Sequence, residues 1–392
     1  MKIKSIRQVK NLRGKKVLLR VDFNVPLTKD LKVGESEDYR IVKSLPTIKF
    51  LIKEGAKIII MAHMGRPDGK VVDKLRLDPV AIRLSQLLKK DIYKSDEIYS
   101  TDIKKHISKM ENGDILILEN VRFDKRENKA DKIFAKELAS LGDIYVNEAF
   151  ADDHREHASV STIQDYLPSY AGFLLESEIL NLSKALKNPN KPLVVIIGGA
   201  KISTKIGLIK NFLSIANKII LGGALANTVL QAKGISVGKS LVEPEMFDDV
   251  KKLKLTDNKI VVPLDGYLAK SYKSLKGRLD AIADVKKDEV ILDIGPDTIK
   301  LYEKIISSAK TIVWNGPMGL IETPFFAKGT ISLIRLLAKS KAQTIIGGGE
   351  TVQMIRKMKM ENKFDFISTG GGAMLEFLEG KKLPGLKKLI IK

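Results

Sequence analysis

The sequence predicts an α/β protein of two domains, each built on a parallel sheet. Three observations carry this. Short apolar runs, of which Leu193-Val194-Val195-Ile196-Ile197 is the clearest, alternate with amphipathic helical patterns through both halves of the chain. The runs are continuously apolar, the composition of strands covered by helices on both faces. The alternation breaks once, at an amphipathic helix over residues 176–186 that ends in Asn188-Pro189-Asn190-Lys191-Pro192, a run that stops a helix.

At 392 residues the chain is long for one domain and fits two. Its 44% hydrophobic content is enough for sizeable cores. The formal net charge of +21 suggests an anionic partner, and nucleic acid, membrane lipid and phosphorylated metabolites all satisfy it. The positive residues are spread along the chain with no basic tail, which weighs against nucleic acid. The absence of cysteine excludes disulfides, a cysteine nucleophile and thiolate metal sites. It fits a reducing compartment. The N-terminus is charged from Lys2 on and lacks an apolar signal core, and no apolar run approaches the roughly 20 residues of a membrane helix. These features describe a soluble cytoplasmic protein with no membrane partner and no obligate nucleic acid.

In chain order, Lys16–Val21 is the first strand, followed by a polar loop and a helix over residues 39–54. Lys57–Met61 is the next strand. Asp78-Pro79 opens a helix, with Asp78 as cap and Pro79 at the first position. Strands at 114–118 and 143–146 flank a helix over 131–141. Strand signals stop from Tyr170 to Asn188, which places the domain junction there. A helical junction is stiff and suits hinge motion. The second half has strands at 193–197, 218–221, 260–262, 290–293, 311–314 and 344–346.

The residues after these strands differ between the halves. In the first half Asp22 and Asn24, then His63, Gly65, Arg66 and Pro67, then Arg122, then His154, Arg155 and His157 follow successive strands, and Arg40 opens the first helix. Arginine recognises phosphate and carboxylate in bidentate fashion, so the set reads as a basic basin. Metal binding by His154 and His157 is disfavoured, because no third ligand is in view. In the second half the strands end in glycine: Gly198-Gly199, Gly222-Gly223-Ala224, Gly295-Pro296, Asn315-Gly316-Pro317, Gly347-Gly348-Gly349 and Thr369-Gly370-Gly371-Gly372. In open parallel sheets ligands bind beyond the carboxyl ends of the strands, so these turns suggest backbone lining a phosphate-bearing ligand. Lys201 and Lys205, four apart in an expected helix, share a face that an anion would neutralise; a solvated basic helix face is the other reading. The spacing of a Walker A loop is absent.

Arg20-Val21-Asp22-Phe23-Asn24-Val25-Pro26, His63-Met64-Gly65-Arg66-Pro67, Glu119-Asn120-Val121-Arg122-Phe123, His154-Arg155-Glu156-His157-Ala158-Ser159, Gly198-Gly199-Ala200-Lys201, Trp314-Asn315-Gly316-Pro317 and Ser368-Thr369-Gly370-Gly371-Gly372-Ala373 together resemble the phosphoglycerate kinases, in order and over almost the whole chain. The resemblance implies two Rossmann-like domains joined by a hinge helix with the ligand cleft between them. The expected parts are residues 1–172 for phosphoglycerate, the hinge helix 173–190, residues 191–373 for nucleotide, and a C-terminal segment, 374–392, that packs back on the first domain. It implies 3-phosphoglycerate or 1,3-bisphosphoglycerate and ADP or ATP as partners, Mg²⁺ as cofactor, and a monomer.

Residue by residue, the resemblance assigns Asp22, Asn24, Arg40, His63, Met64, Gly65, Arg66, Arg122 and Arg155 to the phosphoglycerate. Lys201, Lys205, Gly222, Gly223, Gly295, Asn315, Pro317, Glu322, Gly348, Gly349, Glu350 and Thr351 fall to the nucleotide, with Glu322 at the ribose and Glu350 at the metal. Arg40, Lys205, Gly371 and Gly372 are the expected catalytic set. The chain departs from the family pattern at Glu350, where aspartate is usual, and at Ala224, where a third glycine is common.

Overall fold

The computed structural model describes residues 1–253 and 258–391. Residues 254–257, inside the expected nucleotide domain, and Lys392, the end of the expected C-terminal segment, lie outside the described residues. Two compact units divide the chain. One is Met1–Leu180 together with the chain from Lys382 onward; the other is Asn181–Lys381. The first division falls inside the helix Phe173–Lys187.

The first unit holds a six-stranded sheet in the order Tyr93–Lys94, Ile115–Ile117, Lys57–Met61, Lys16–Val21, Ile144–Glu148, Ser169–Ala171, parallel throughout. Alternate residues feed opposite faces, as the pleat requires. Val17, Leu19 and Val21 enter one core with Ile58 and Ile60, while Leu18 enters the other with Ile59, Met61 and Leu116. Because both faces are covered, the strands read as continuous apolar runs. The helix Tyr39–Lys53 buries Ile41, Ser44, Thr47, Ile48 and Leu51, the three-and-four spacing of one helical face. The strand order reverses direction at Lys16–Val21, so the crevice favoured by this topology lies beyond that strand and Ile144–Glu148.

Three expectations need correction here. The helix at Asp78–Leu88 is capped by Leu77, so Asp78 and Pro79 lie within its first turn. Ser169–Ala171 is a strand, paired with Tyr145–Asn147; three residues are too few for a periodic signal. The chain end returns to the first unit, where Ile390–Ile391 pairs antiparallel with Lys2–Ile3, but the helix Gly372–Leu378, part of the expected returning segment, belongs to the second unit.

The second unit repeats the plan, with strands Ile260–Val261, Lys218–Leu221, Leu193–Ile197, Thr311–Asn315, Gln343–Gly347 and Phe366–Ile367, again all parallel. Its reversal lies between Leu193–Ile197 and Thr311–Asn315. The run at 290–293, expected in this sheet, instead sits in a three-stranded antiparallel sheet with Asp265–Ala269 and Arg278–Ala281. Among the described residues no helix is long and apolar enough to cross a membrane.

Candidate active site

In the first unit the strand ends converge on one basic basin at the topological reversal. Arg40 makes an ion pair with Asp22 at 2.7 Å and donates to the carbonyl of Asn24 at 3.1 Å. The Asn24 side chain accepts from the Gly65 amide at 2.9 Å, and Arg122 donates to the Gly65 carbonyl at 3.0 Å. Asn120 holds the same loop by donating to the Met64 carbonyl at 2.8 Å. Asp22, Asn24, Arg40, His63, Met64, Gly65 and Arg122 are thus tied into one framework. Arg66 and Arg155 are exposed and have no ion-pair partner among the described residues. Arg155 lies near enough to Arg122 to disfavour its charge, alongside burial and Arg20.

Beneath the basin runs a buried network that the sequence did not single out. Arg20, fully buried in its strand, donates to Ser159 Oγ at 2.9 Å, the Val21 carbonyl at 2.5 Å and Asp152 Oδ2 at 3.0 Å. Asp152 also meets His63 Nδ1 at 3.2 Å and Arg122 at 3.4 Å. Contacts with His63, Arg20 and Arg122 overcome burial and hold the Asp152 carboxyl well below the usual range, while burial pushes His63 down. An arginine inside the run Val17-Leu18-Leu19-Arg20-Val21 was the available signal, because a buried strand hosts a charge only when it is paired. Asp22, His63 and Asp152 converge closely enough to hold a metal. The guanidinium groups of Arg40, Arg20 and Arg122 already neutralise both carboxylates, which makes this an anion basin.

In the second unit the centre is Lys205. Its ammonium donates to the Gly198 carbonyl at 2.6 Å and to Asn315 Oδ1 at 2.9 Å, which places it at that unit's reversal point. Burial lowers its pKa to about 8, with Glu350 acting in the opposite direction. The expected shared helix face does not form: the helix spans Ile206–Leu213 and Lys205 is its cap residue. Ile202 is buried and accepts from the amides of Lys205 and Ile206, so residues 201–205 form a turn. The turn leaves Lys201 exposed while Lys205 points inward.

The glycine turns divide into two kinds. A Cβ on Gly198 would sit 2.1 Å from the Pro317 carbonyl, one on Gly222 would meet Met318 sulfur at 2.4 Å, and one on Gly223 would meet the Gly199 backbone at 2.6 Å. These glycines let the turns pack on one another, joined by bonds such as Gly199 N to the Pro317 carbonyl at 2.9 Å. Gly295 makes room for Asp265, whose carboxylate accepts from the Asp297 and Thr298 amides and caps the helix Pro296–Ser307. A Cβ on Gly349 or Gly371 would meet nothing within 4 Å, so the space beside these two residues is open.

A cavity of about 740 Å³, open solvent included, adjoins these turns. Gly223, Pro317, Glu322 and Glu350 line it, as do Tyr272, Asp293 and the apolar Leu230, Pro263, Ile291 and Leu320, which sequence reading missed. Gly348 opens the helix Gly349–Lys357 as its cap, with Glu350 in the first turn. Two buried polar atoms beside this turn, Thr351 Oγ1 and Asn315 Nδ2, have no hydrogen-bond partner among the described residues. Glu350 is exposed, and among the described residues it belongs to no group of three or more His, Asp or Glu side chains placed to hold a metal, which suits a divalent ion carried on nucleotide phosphates rather than held in a protein cage.

The fold and the two sites define the class: an α/β protein of two units, each with a parallel sheet whose switch point gathers groups suited to an anion. The comparisons narrow it. The phosphoglycerate kinase family model matches residues 6–381. A phosphoglycerate kinase of Borrelia garinii subsp. bavariensis is 44% identical over 99% of this chain and 100% of its own, and that of Dictyoglomus turgidum is 45% identical over 97% and 96%. The solved structure of phosphoglycerate kinase from Coxiella burnetii superposes with a TM-score of 0.86 at 40% identity, covering 98% of both chains. The chain belongs to the phosphoglycerate kinase family.

Proposed function

We propose that this chain carries out the family's phosphotransfer between 1,3-bisphosphoglycerate and ADP, giving 3-phosphoglycerate and ATP, through the two sites described above. The observation that carries the assignment is the pairing of an arginine basin in one unit with the Lys205–glycine site in the other. The basin, with Arg122, Arg66 and Arg155, takes the phosphoglycerate. The second site takes the nucleotide, its base in the apolar part of the cavity, Glu322 at the ribose and Lys201 and Lys205 at the phosphates. Glu350 would help to hold Mg²⁺ carried on those phosphates, and the ion would neutralise part of their charge.

Phosphoryl transfer asks for alignment and charge neutralisation more than for covalent chemistry. Arg40 and Lys205 neutralise the moving phosphoryl, and the Gly371 and Gly372 amides donate to its oxygens. The acceptor is a carboxylate, already ionised at neutral pH, so no general base is needed. His63 and His154 orient the substrate or link closure to binding rather than transfer protons. Because the ligand sets belong to different units, transfer requires hinge motion that brings them together, and the helix Phe173–Lys187 is the hinge in this account. The protein acts as a cytoplasmic monomer without membrane or nucleic-acid partners. A nonenzymatic nucleotide or RNA binder on the same fold is not favoured, since the family match runs almost the full length of the chain.

The test is turnover of the purified protein with MgATP and 3-phosphoglycerate, read by coupled reduction of 1,3-bisphosphoglycerate. The assignment expects turnover that needs both substrates and Mg²⁺. A folded protein that binds ATP and turns over nothing would refute it.

A further inference from the structure

The buried network under the basin surrounds Nδ1 of His63. Its Nδ1 lies 3.2 Å from the Arg20 guanidinium, in a geometry in which the guanidinium donates. The same Nδ1 is 3.2 Å from Asp152 Oδ2, so it faces a carboxylate that would accept as well as a guanidinium that donates. Arg20 cannot turn away, because Ser159 Oγ, the Val21 carbonyl and Asp152 hold its other donors. Ser159 is in turn fixed by donating to Glu127 Oε1 at 2.6 Å. An Nδ1 that accepts from the permanently charged guanidinium carries no proton, which puts the proton of the neutral ring on Nε2; an Nδ1 that donates to Asp152 would carry it instead. No hydrogen bond engages Nε2 among the described residues.

We infer that Arg20 and Asp152 act together as positioning residues, which set His63 as a neutral Nε2–H donor and hold Arg122 beside it, ready for the phosphoglycerate. The assignment rests on the function proposed above for the basin. It adds a device: one buried carboxylate orders two guanidinium groups and, through Arg20, one imidazole. Without Asp152, Arg20 would lose one of its anchors and Arg122 the one carboxylate it pairs with among the described residues, and the imidazole could rotate or exchange tautomers.

The experiment has two arms. The first is nitrogen NMR of His63 in the unaltered, ligand-free protein. The expected signal is a neutral ring protonated at Nε2 and bare at Nδ1; a ring protonated at Nδ1 overturns the inference, and this needs neither a variant nor a substrate. The second is calorimetric titration of Asp152→Asn with 3-phosphoglycerate and with MgADP. The expected result is at least tenfold weaker 3-phosphoglycerate binding, MgADP binding within twofold of wild type, and a mixed tautomer signal from His63. An Asp152→Asn protein that binds both ligands like wild type with an unchanged His63 signal also overturns it. Should the variant fail to fold, the tautomer measurement decides. Should the unaltered protein fail to bind 3-phosphoglycerate at all, the functional reading of the basin fails, while the tautomer result stands on its own.

Discussion

Replacing Lys205 by methionine should separate what this lysine does for the fold from what it does for the ligand. The side chain is 8% exposed, and burial lowers its pKa from the usual ~10.4 to about 8. At 1.36 kcal/mol per pH unit, that difference is about 3 kcal/mol against the charged form in the folded protein. Below pH 8 the lysine is protonated in both folded and unfolded states, and the native state bears the whole penalty. Between pH 8 and ~10.4 the native lysine releases its proton while the unfolded one keeps it. The unfolded state then binds more protons, so stability rises with pH. Denaturant unfolding of wild type and Lys205→Met from pH 7.5 to 10 should therefore show the difference, wild type minus variant, increasing by up to about 3 kcal/mol. Other lysines and tyrosines titrate in both proteins and cancel. The charge that strains the apo protein is the one a nucleotide phosphate would relieve. In wild type, kcat/KM for the nucleotide should accordingly fall above about pH 8, as the free protein's ammonium is lost. Parallel stability profiles across the range, together with a flat kcat/KM, would refute the reasoning.

Three further predictions follow from the same geometry. Burial raises the Glu148 carboxyl to about 7, although it accepts from Thr47 Oγ1 and the amides of Leu174 and Leu175 at the start of the helix Phe173–Lys187. The native state thus holds its proton longer than the unfolded one, and stability should fall as pH rises from about 4.5 to 7; urea titrations of Glu148→Gln should lack roughly 3 kcal/mol of that slope. Gly198→Ala, whose new methyl would sit 2.1 Å from the Pro317 carbonyl, should lower stability by about 1–3 kcal/mol or more, whereas Gly349→Ala, facing open space, should leave the melting temperature nearly unchanged while nucleotide affinity falls. Glu350→Gln should raise the Mg²⁺ concentration needed for half-maximal turnover several-fold with little change in KM for 3-phosphoglycerate, and an unaltered Mg²⁺ dependence would remove Glu350 from the metal.

The parallel strands were legible because helices cover both faces, so Lys16–Val21 and Leu193–Ile197 read as unbroken apolar runs. The short strands Tyr93–Lys94 and Ser169–Ala171 were not, because pairing with their neighbours makes them and local composition does not. Arg278–Ala281 alternates exposed and half-buried residues in a small antiparallel sheet and leaves no apolar run to read. The side chains after each strand marked where ligands could bind, but not how the sites are built. Spacing put Lys201 and Lys205 on one helix face, and burial of Ile202 instead made a turn that separates them. Glycine composition could not tell the packing glycine Gly198 from the open Gly349, since that difference depends on what a Cβ would meet. The Arg20–Asp152–His63 network joins positions far apart in the chain, beyond the reach of any local pattern.

The central claim is that two ligands bind two separate sets of residues, arginines in the first unit and the lysine–glycine site in the second. Calorimetric titration of 3-phosphoglycerate and of MgADP into Arg122→Ala and into Lys205→Met tests it most directly. The account predicts a crossed pattern: Arg122→Ala loses 3-phosphoglycerate affinity and keeps MgADP affinity, and Lys205→Met does the reverse. Loss of the same ligand in both variants, or of neither, would contradict it.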